Sequence, residues 1–104
     1  MYVQVNIGRN IGGEPMSGER WDEFRNDIIS VLVMSCNDST SETLSTVEIH
    51  DGYGSWDGVR EDSAHVSIFW VPGVNVDILR ERIAHVRRNY DQDSIALITG
   101  SELI

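Results

Sequence analysis

The chain contains no lysine, and all eight of its basic residues are arginine. Lysine codons are AT-rich and most arginine codons are GC-rich. The bias therefore favours a gene from a GC-rich genome, such as that of an actinobacterium or one of its phages. Cysteine is nearly absent too, and the single Cys36 excludes a disulfide bond within the chain. We interpret Cys36 as a small side chain buried at the end of a helix.

Long apolar segments are also missing from the sequence. No run approaches the roughly 18–20 apolar residues that a membrane span needs. Residues 1–6 have neither the basic region nor the long apolar region of a signal peptide. We therefore expect a cytoplasmic protein with no membrane partner, located in the host cytoplasm if a phage encodes it.

Positive charge is scarce, because 17 acidic residues outnumber 8 basic ones and give a net charge of -9. Binding to a nucleic-acid backbone depends on Lys and Arg side chains that displace counterions, so we expect no direct nucleic-acid partner. An acidic protein can instead mimic DNA, although here the carboxylates are spread over the chain. The length of 104 residues predicts one domain over residues 1–104.

The stretch most informative about the fold is residues 43–71, which predicts a long antiparallel hairpin. Val47 and Ile49 alternate with polar neighbours, and residues 64–70 alternate in the same way, as expected for strands with one buried face. Three glycines lie between these runs, the last of them in an Asp57-Gly58 pair that is typical of a tight hairpin turn. A strand follows these glycines where a phosphate-binding loop requires a helix, so we interpret them as structural.

Two strands and two helices flank the hairpin in the prediction. Residues 2–7 form the first strand and residues 94–99 the last. Ser17 is a suitable N-cap for a helix over residues 18–34, and Asn75 caps a second helix. The apolar stripe of this second helix consists of Val76, Leu79, Ile83, Val86 and Tyr90. The order of elements predicts an α+β ferredoxin-like plait (βαββαβ), a four-stranded antiparallel sheet with two helices on one face.

The two faces of this sheet differ in composition. The residues predicted to point towards the helices are Val3, Val5, Val47, Ile49, Val66, Ile68 and Trp70. The opposite, open face is predicted to carry Tyr2, Gln4, Asn6, Glu48, His50, His65, Ser67 and Phe69. Because this face is partly apolar, we expect a homodimer that buries it.

Scattered residues along most of the chain resemble a family of small uncharacterised bacterial proteins. They are Asn-Ile-Gly-Arg at 6–9, Met-Ser at 16–17, Trp-Asp-Glu-Phe at 21–24, Gly-Ser-Trp at 54–56, Glu-Asp-Ser at 61–63 and Tyr-Asp-Gln-Asp-Ser at 90–94. The resemblance implies the same ferredoxin-like plait and supplies no activity.

Candidate ligand-binding residues occur on the open face. Glu48, His50 and His65 could converge on a metal or a substrate, since imidazole and carboxylate are common ligands of Zn²⁺. They form no tight motif, however, so the sequence assigns no catalytic residue, metal or cofactor. Arg9 and Asn10, just after the first strand, are further candidates for binding an anion.

Candidate protein-binding residues occur on the hairpin and on the second helix. Trp56 lies at the predicted hairpin tip, and Arg80, Arg87 and Arg88 give the second helix a basic character within an acidic protein. Tryptophan and arginine are common anchors of protein interfaces.

These patterns favour a non-enzymatic accessory protein that binds a protein partner, encoded by a phage and acting on a host factor. One alternative is a small dimeric enzyme or ligand binder that uses Glu48, His50 and His65 on the open face. A further alternative is an acidic inhibitor that mimics DNA.

Overall fold

The computed structural model describes residues 2–36, 47–56, 58–68 and 74–100, excluding the side chains of Cys36 and Trp56. Its elements are β1 (Tyr2–Gly8), β2 (Asn10–Ile11), β3 (Glu14–Pro15), α1 (Gly18–Cys36), β4 (Val47–Trp56), β5 (Val59–Ile68), α2 (Val76–Asn89) and β6 (Ala96–Gly100). Apart from the short β2–β3 ribbon, this is the predicted order. Neither helix in the described part combines the length and apolar character needed to cross a bilayer.

The main sheet has four strands in the order β4-β5-β1-β6. Each neighbouring pair is antiparallel, with β1 between β5 and β6. The connections from β1 through α1 to β4 and from β5 through α2 to β6 each cross over the sheet. This arrangement confirms the ferredoxin-like plait.

The core lies between the sheet and the two helices. Val3, Val5, Val66 and Ile68 are each 0% exposed on the helix side of the sheet, as the alternation predicted. Phe24, Ile28, Leu32 and Leu79 cover them from the helices and are also fully buried. The ring of Phe24 stacks on that of Tyr90 at 4.7 Å between centroids, which joins α1 to the end of α2.

The helix termini are capped by the residues that the sequence indicated. The Ser17 hydroxyl accepts a hydrogen bond from the Arg20 backbone N–H at 3.2 Å. The Asn75 side chain accepts one from Ile78 N–H at 3.1 Å. Such caps satisfy N–H groups that have no partner within the helix. Helix α1 extends to Cys36, two residues beyond the predicted end.

The hairpin differs from the prediction because its strands continue through the glycine-rich segment. Strands β4 and β5 pair from Val47 with Ile68 to Trp56 with Val59, and Gly58 adopts a φ of 75° in the turn. Strand β1 pairs with β5 only as far as Ser63. The outer half of the hairpin, residues 53–56 and 59–62, is therefore a two-stranded ribbon beyond the main sheet.

Three further details depart from the sequence prediction. Residues 10–15 form the β2–β3 ribbon instead of a loop, and β6 runs from Ala96 to Gly100 instead of over residues 94–99. Ile49 lies on the helix side but is 39% exposed, because β4 is an edge strand. The predictions for residues 43–46, Phe69, Trp70 and Val71 fall outside the described residues.

Candidate functional site

The open face brings the two predicted histidines together. The strand register places His50 directly opposite His65 and His65 directly opposite Asn6. His50 Nε2 lies 3.5 Å from Glu48 Oε2, with the two side chains 70% and 50% exposed. Across the described ranges no three His, Cys, Asp or Glu side chains are grouped closely enough to hold a metal ion. The three candidates are thus neighbours on a solvated surface without the geometry of a metal centre.

Arg9 and Asn10, the candidate anion ligands, connect the β2–β3 ribbon to the rest of the protein. Arg9 Nε donates to Met16 O at 2.9 Å, and Arg9 Nη1 lies 3.2 Å from Asp62 Oδ2. The Asn10 backbone N–H donates to Glu61 Oε2 at 2.9 Å. The Asn10 side chain also donates to Arg60 O at 3.3 Å, so the contacts of both residues favour a structural role over anion binding.

The arginines of α2 differ in how they are engaged. Arg80 pairs with Asp77 at 3.1 Å, and the Arg87 guanidinium donates to Gln92 O at 3.2 Å. Arg88 is exposed, and its guanidinium has no hydrogen bond or ion pair within the described parts of the chain. Strand β4 ends at Trp56, whose side chain lies outside the description.

Several carboxylates of this acidic chain form ion pairs with arginines. Arginines lie within 4 Å of carboxylates in the pairs Arg9–Asp62, Arg20–Asp91, Arg25–Asp22, Arg25–Asp51, Arg60–Asp62 and Arg80–Asp77. A DNA mimic presents a continuous row of negative charge. Because these pairs place arginines beside the carboxylates, they argue against a DNA mimic.

A cavity of about 390 Å³ lies between α1 and the hairpin. It is lined by Trp21, Arg25, Asp51, Gly52, Tyr53, Asp62 and Ser63, and we refer to it as the hairpin cavity. Trp21 and Arg25 lie one turn apart on α1, while Asp51 and Tyr53 alternate on the helix side of β4. Asp62 is directly opposite Tyr53 on β5. The extended hairpin therefore positions most of the lining.

Both signs of charge meet at this cavity. Arg25 Nη2 donates to Asp51 Oδ2 at 3.0 Å, whereas Asp62 lies 3.2 Å from Arg9 and 3.7 Å from Arg60. The Nε atom of Arg25 is buried and has no hydrogen-bond partner among the described residues. Such a lining suits a ligand that itself carries both charges.

An aromatic ring is exposed at the same place. Tyr53 is 70% exposed, and the Arg60 guanidinium lies 4.3 Å above its ring. Exposed aromatic rings are common stacking surfaces for planar ligands. Small-molecule sites occupy roughly 300–1,000 Å³, a range that includes the hairpin cavity.

Sequence reasoning missed this site. Asp51 and Tyr53 fall in the glycine-containing segment between the two predicted strands, and no role was predicted for Arg25 or Asp62. The signal was the two-residue alternation itself, which continues through Asp51, Tyr53 and Ser55 despite the intervening glycines.

Two other concave surfaces occur on the helical layer. A cavity of about 350 Å³ is lined by Ser17, Glu19, Arg20, Glu23, Asp27, Asn89 and Tyr90. An apolar groove of about 370 Å³, which we refer to as the interhelical groove, is lined by Val31, Met34, Glu81, Arg82, His85 and Val86. Beside the first cavity, burial and then the hydrogen bond to Asp27 raise the pKa of Tyr90 to about 12.

Comparisons with solved structures find other chains with a similar fold. No protein-family model and no curated protein matches the chain. A phage SAM lyase in its apo state is 16% identical with a TM-score of 0.54, covering 92% of this chain and 75% of that one. A phage SAM lyase in complex with S-methyl-5′-thioadenosine is 17% identical with a TM-score of 0.52, covering 92% and 76%.

The de novo designed protein Foldit4 is also similar, at 18% identity and a TM-score of 0.51, covering 98% of this chain and 94% of that one. At such identities the likeness establishes the fold alone. It confirms the ferredoxin-like plait that the predicted family resemblance implied. The family of small bacterial proteins that the sequence resembles is not supported by a family model, because none matches the chain.

Proposed function

We propose that this chain is a phage-related protein that binds an adenosyl sulfonium compound of the S-adenosylmethionine class in the hairpin cavity. The observation that carries the proposal is the combination of Tyr53, Arg25, Asp51 and Asp62 around one cavity. Support comes from a fold similar to that of a phage enzyme that acts on S-adenosylmethionine.

The chemistry of the ligand matches that of the lining. S-adenosylmethionine has a planar adenine, a positively charged sulfur, and an amino-acid end with an ammonium and a carboxylate. The exposed Tyr53 ring offers a stacking surface for the adenine. The Arg25–Asp51 ion pair would meet the amino-acid end of the ligand, with Arg25 facing its carboxylate and Asp51 facing its ammonium.

Isothermal titration calorimetry of the purified chain with S-adenosylmethionine tests this function. We expect saturable binding. Tyr53→Ala should weaken it by about 5-fold to 150-fold, because stacking of a base on an aromatic ring contributes about 1–3 kcal/mol. Asp51→Asn should weaken binding to the cationic ligand, whereas Asp93→Asn, a matched change at an exposed loop aspartate, should leave it unchanged.

Chromatography of the same mixtures would show whether S-methyl-5′-thioadenosine forms, which separates an enzyme from a ligand binder. The proposal is wrong if no binding heat is measured at millimolar ligand. Equal affinities of the wild type, Tyr53→Ala and Asp51→Asn would also contradict it.

A second function, binding to a host protein as an accessory factor, is supported by a different surface. Met34 is 71% exposed and Ile78 is 45% exposed on the helical layer. Met34 lines the interhelical groove, and the side chain of Arg88 is exposed further along α2. Exposed apolar side chains and arginines that are free to pair are common anchors of protein interfaces.

Pulldowns from a lysate of a GC-rich host would compare the wild type, Met34→Glu, Arg88→Ala and Trp56→Ala. Arg80→Ala serves as the control, since Arg80 is already paired with Asp77. A specific partner should be lost with Met34→Glu or Arg88→Ala and kept with Arg80→Ala. Identical recovery by all variants would exclude this surface.

A further inference from the structure

Arg60 covers one face of the Tyr53 ring. Its guanidinium carbon lies 4.3 Å from the ring centroid. The strand register pairs Tyr53 with Asp62, whereas Arg60 lies two residues nearer to the hairpin tip. Side chains two residues apart on a strand share one side of the ribbon, and diagonal neighbours across two strands are within reach of long and aromatic side chains. The covered face of the ring is therefore the one that points towards the tip.

The other face of the ring points towards the hairpin cavity. Asp51 precedes Tyr53 on the same side of β4, nearer to the base of the hairpin, and pairs there with Arg25 of α1. All three of these residues line the cavity, and Arg60 is not part of the lining. Tyr53 is 70% exposed although a guanidinium covers one of its faces. The cavity-facing side of the ring is thus available for stacking.

A series of polar contacts holds Arg60 in this position. Arg60 Nε lies 3.7 Å from Asp62 Oδ1, and Asp62 Oδ2 lies 3.2 Å from Arg9 Nη1. Arg9 Nε in turn donates to the backbone oxygen of Met16, a residue that is 4% exposed. These contacts connect an exposed aromatic ring on a two-stranded ribbon to the buried core. A ring that is oriented before the ligand arrives loses less conformational entropy on binding.

We propose that Arg60 is a positioning residue of the hairpin cavity, and that adenine binds the cavity-facing side of Tyr53 as the third layer of an arginine–tyrosine–purine stack. The stack rests on the proposed function of the cavity. It adds that the base is recognised through a ring fixed by a cation, and not through the charge of Arg60 itself. Adenine nucleosides with and without a positive sulfur therefore share this stacking surface.

Isothermal titration calorimetry with two ligands separates the two roles that Arg60 could have. S-adenosylmethionine has a positive sulfur, whereas S-methyl-5′-thioadenosine is a neutral thioether with the same adenosine. Arg60→Gln should weaken the binding of both ligands by the same factor, about twofold to fivefold, which is the scale of an exposed cation–π contact. If Arg60 acted by charge alone, its loss would strengthen the binding of the cationic ligand and leave that of the neutral ligand unchanged.

Further variants test whether the effect passes through the ring. Arg60→Lys keeps a cation near Tyr53 and should lose less affinity than Arg60→Gln. In the Tyr53→Ala background, Arg60→Gln should cause no further loss, because the ring that Arg60 positions is gone. Arg80→Gln is the matched control, since it removes the same charge from a side chain of similar exposure on α2, 67% against 70%. It should leave both affinities unchanged, and circular dichroism verifies that each variant is folded.

The possible results distinguish the stack from the proposed function. Absence of binding by the wild type overturns both. Binding of S-adenosylmethionine by the wild type with equal affinity in Arg60→Gln overturns the stack and leaves the proposed function standing. So does binding of S-adenosylmethionine with no detectable binding of S-methyl-5′-thioadenosine at millimolar concentration. Equal losses in Arg60→Lys and Arg60→Gln, or an additive loss in the double variant, would show that the effect does not pass through a cation on the ring, and would overturn the stack as well.

Discussion

Replacing Tyr90 by Phe removes one hydroxyl from the junction of the two helices. Tyr90 OH donates to Asp27 Oδ2 at 2.6 Å, while the ring is 8% exposed and stacks on Phe24. The substitution keeps the ring and its stacking. Its effect therefore isolates the hydrogen bond between a phenol and a carboxylate.

The magnitude follows from the hydrogen bond itself. Hydrogen bonds to charged groups contribute about 1.5–3 kcal/mol. The rise in the pKa of Tyr90 from 10.0 to about 12, caused first by burial and then by Asp27, describes the stability lost at high pH and does not measure this bond at neutral pH. Asp27 is exposed, so water both screens the pair and solvates the carboxylate when the phenol is lost. We expect Tyr90→Phe to lower the free energy of unfolding by about 1–1.5 kcal/mol at neutral pH, or about 4–8 °C in Tm.

The pH dependence of this difference has a definite sign. Burial and Asp27 favour the neutral phenol in the folded state, so the folded pKa lies above the unfolded one. The stabilisation is fully present below about pH 10. It is lost as the pH rises from 10 towards 12, because the unfolded chain gains stability by ionising first.

Urea denaturation of both proteins between pH 7 and pH 11 measures this difference. The advantage of the wild type over Tyr90→Phe should be constant below pH 9 and shrink above pH 10. Tyr2 and Tyr53 are common to both proteins, so their ionisation cancels in the comparison. Equal stability at pH 7, or an advantage that persists undiminished at high pH, would refute the reasoning.

Three further substitutions test the fold. Val66→Asp should prevent folding, as shown by loss of the circular dichroism signal, because an unpaired carboxylate at a 0% exposed position costs several kcal/mol. Asn75→Ala should lower the free energy of unfolding in urea by about 1 kcal/mol through loss of the α2 cap. An unchanged free energy of unfolding would show that the cap does not stabilise the protein. Gly58→Ala should lower thermal stability by about 1–2 kcal/mol, since the φ of 75° is unfavourable for residues with a Cβ; an unchanged Tm would show that the turn relaxes.

Local periodicity was sufficient to predict the plait. The alternation in β1 and β5 placed Val3, Val5, Val66 and Ile68 on the buried face, where each is 0% exposed. The cap of α2 was equally clear from sequence, because Asn75 precedes a single apolar stripe. These features depend on neighbours within a few residues, which a single sequence records directly.

The hairpin cavity was not predictable in this way, because it depends on the length of β4 and β5. Glycine has poor strand propensity, so Gly52 and Gly54 indicated a connection. In the structure, cross-strand pairing carries the strands through them as far as Trp56. The meeting of Arg25 with Asp51 is a tertiary contact between α1 and β4 that no local pattern encodes.

Hydrophobic packing does not account for the stability of the outer half of the hairpin. The residues 53–55 and 58–60 are all exposed, and a two-stranded ribbon alone is marginally stable in water. Its support comes from polar contacts near its base, where Arg60 covers Tyr53 and Asp62 holds Arg9. A shorter hairpin would preserve the buried core described above. Local departures from stable design are expected at functional sites, and here the departure carries the aromatic ring and one carboxylate of the hairpin cavity.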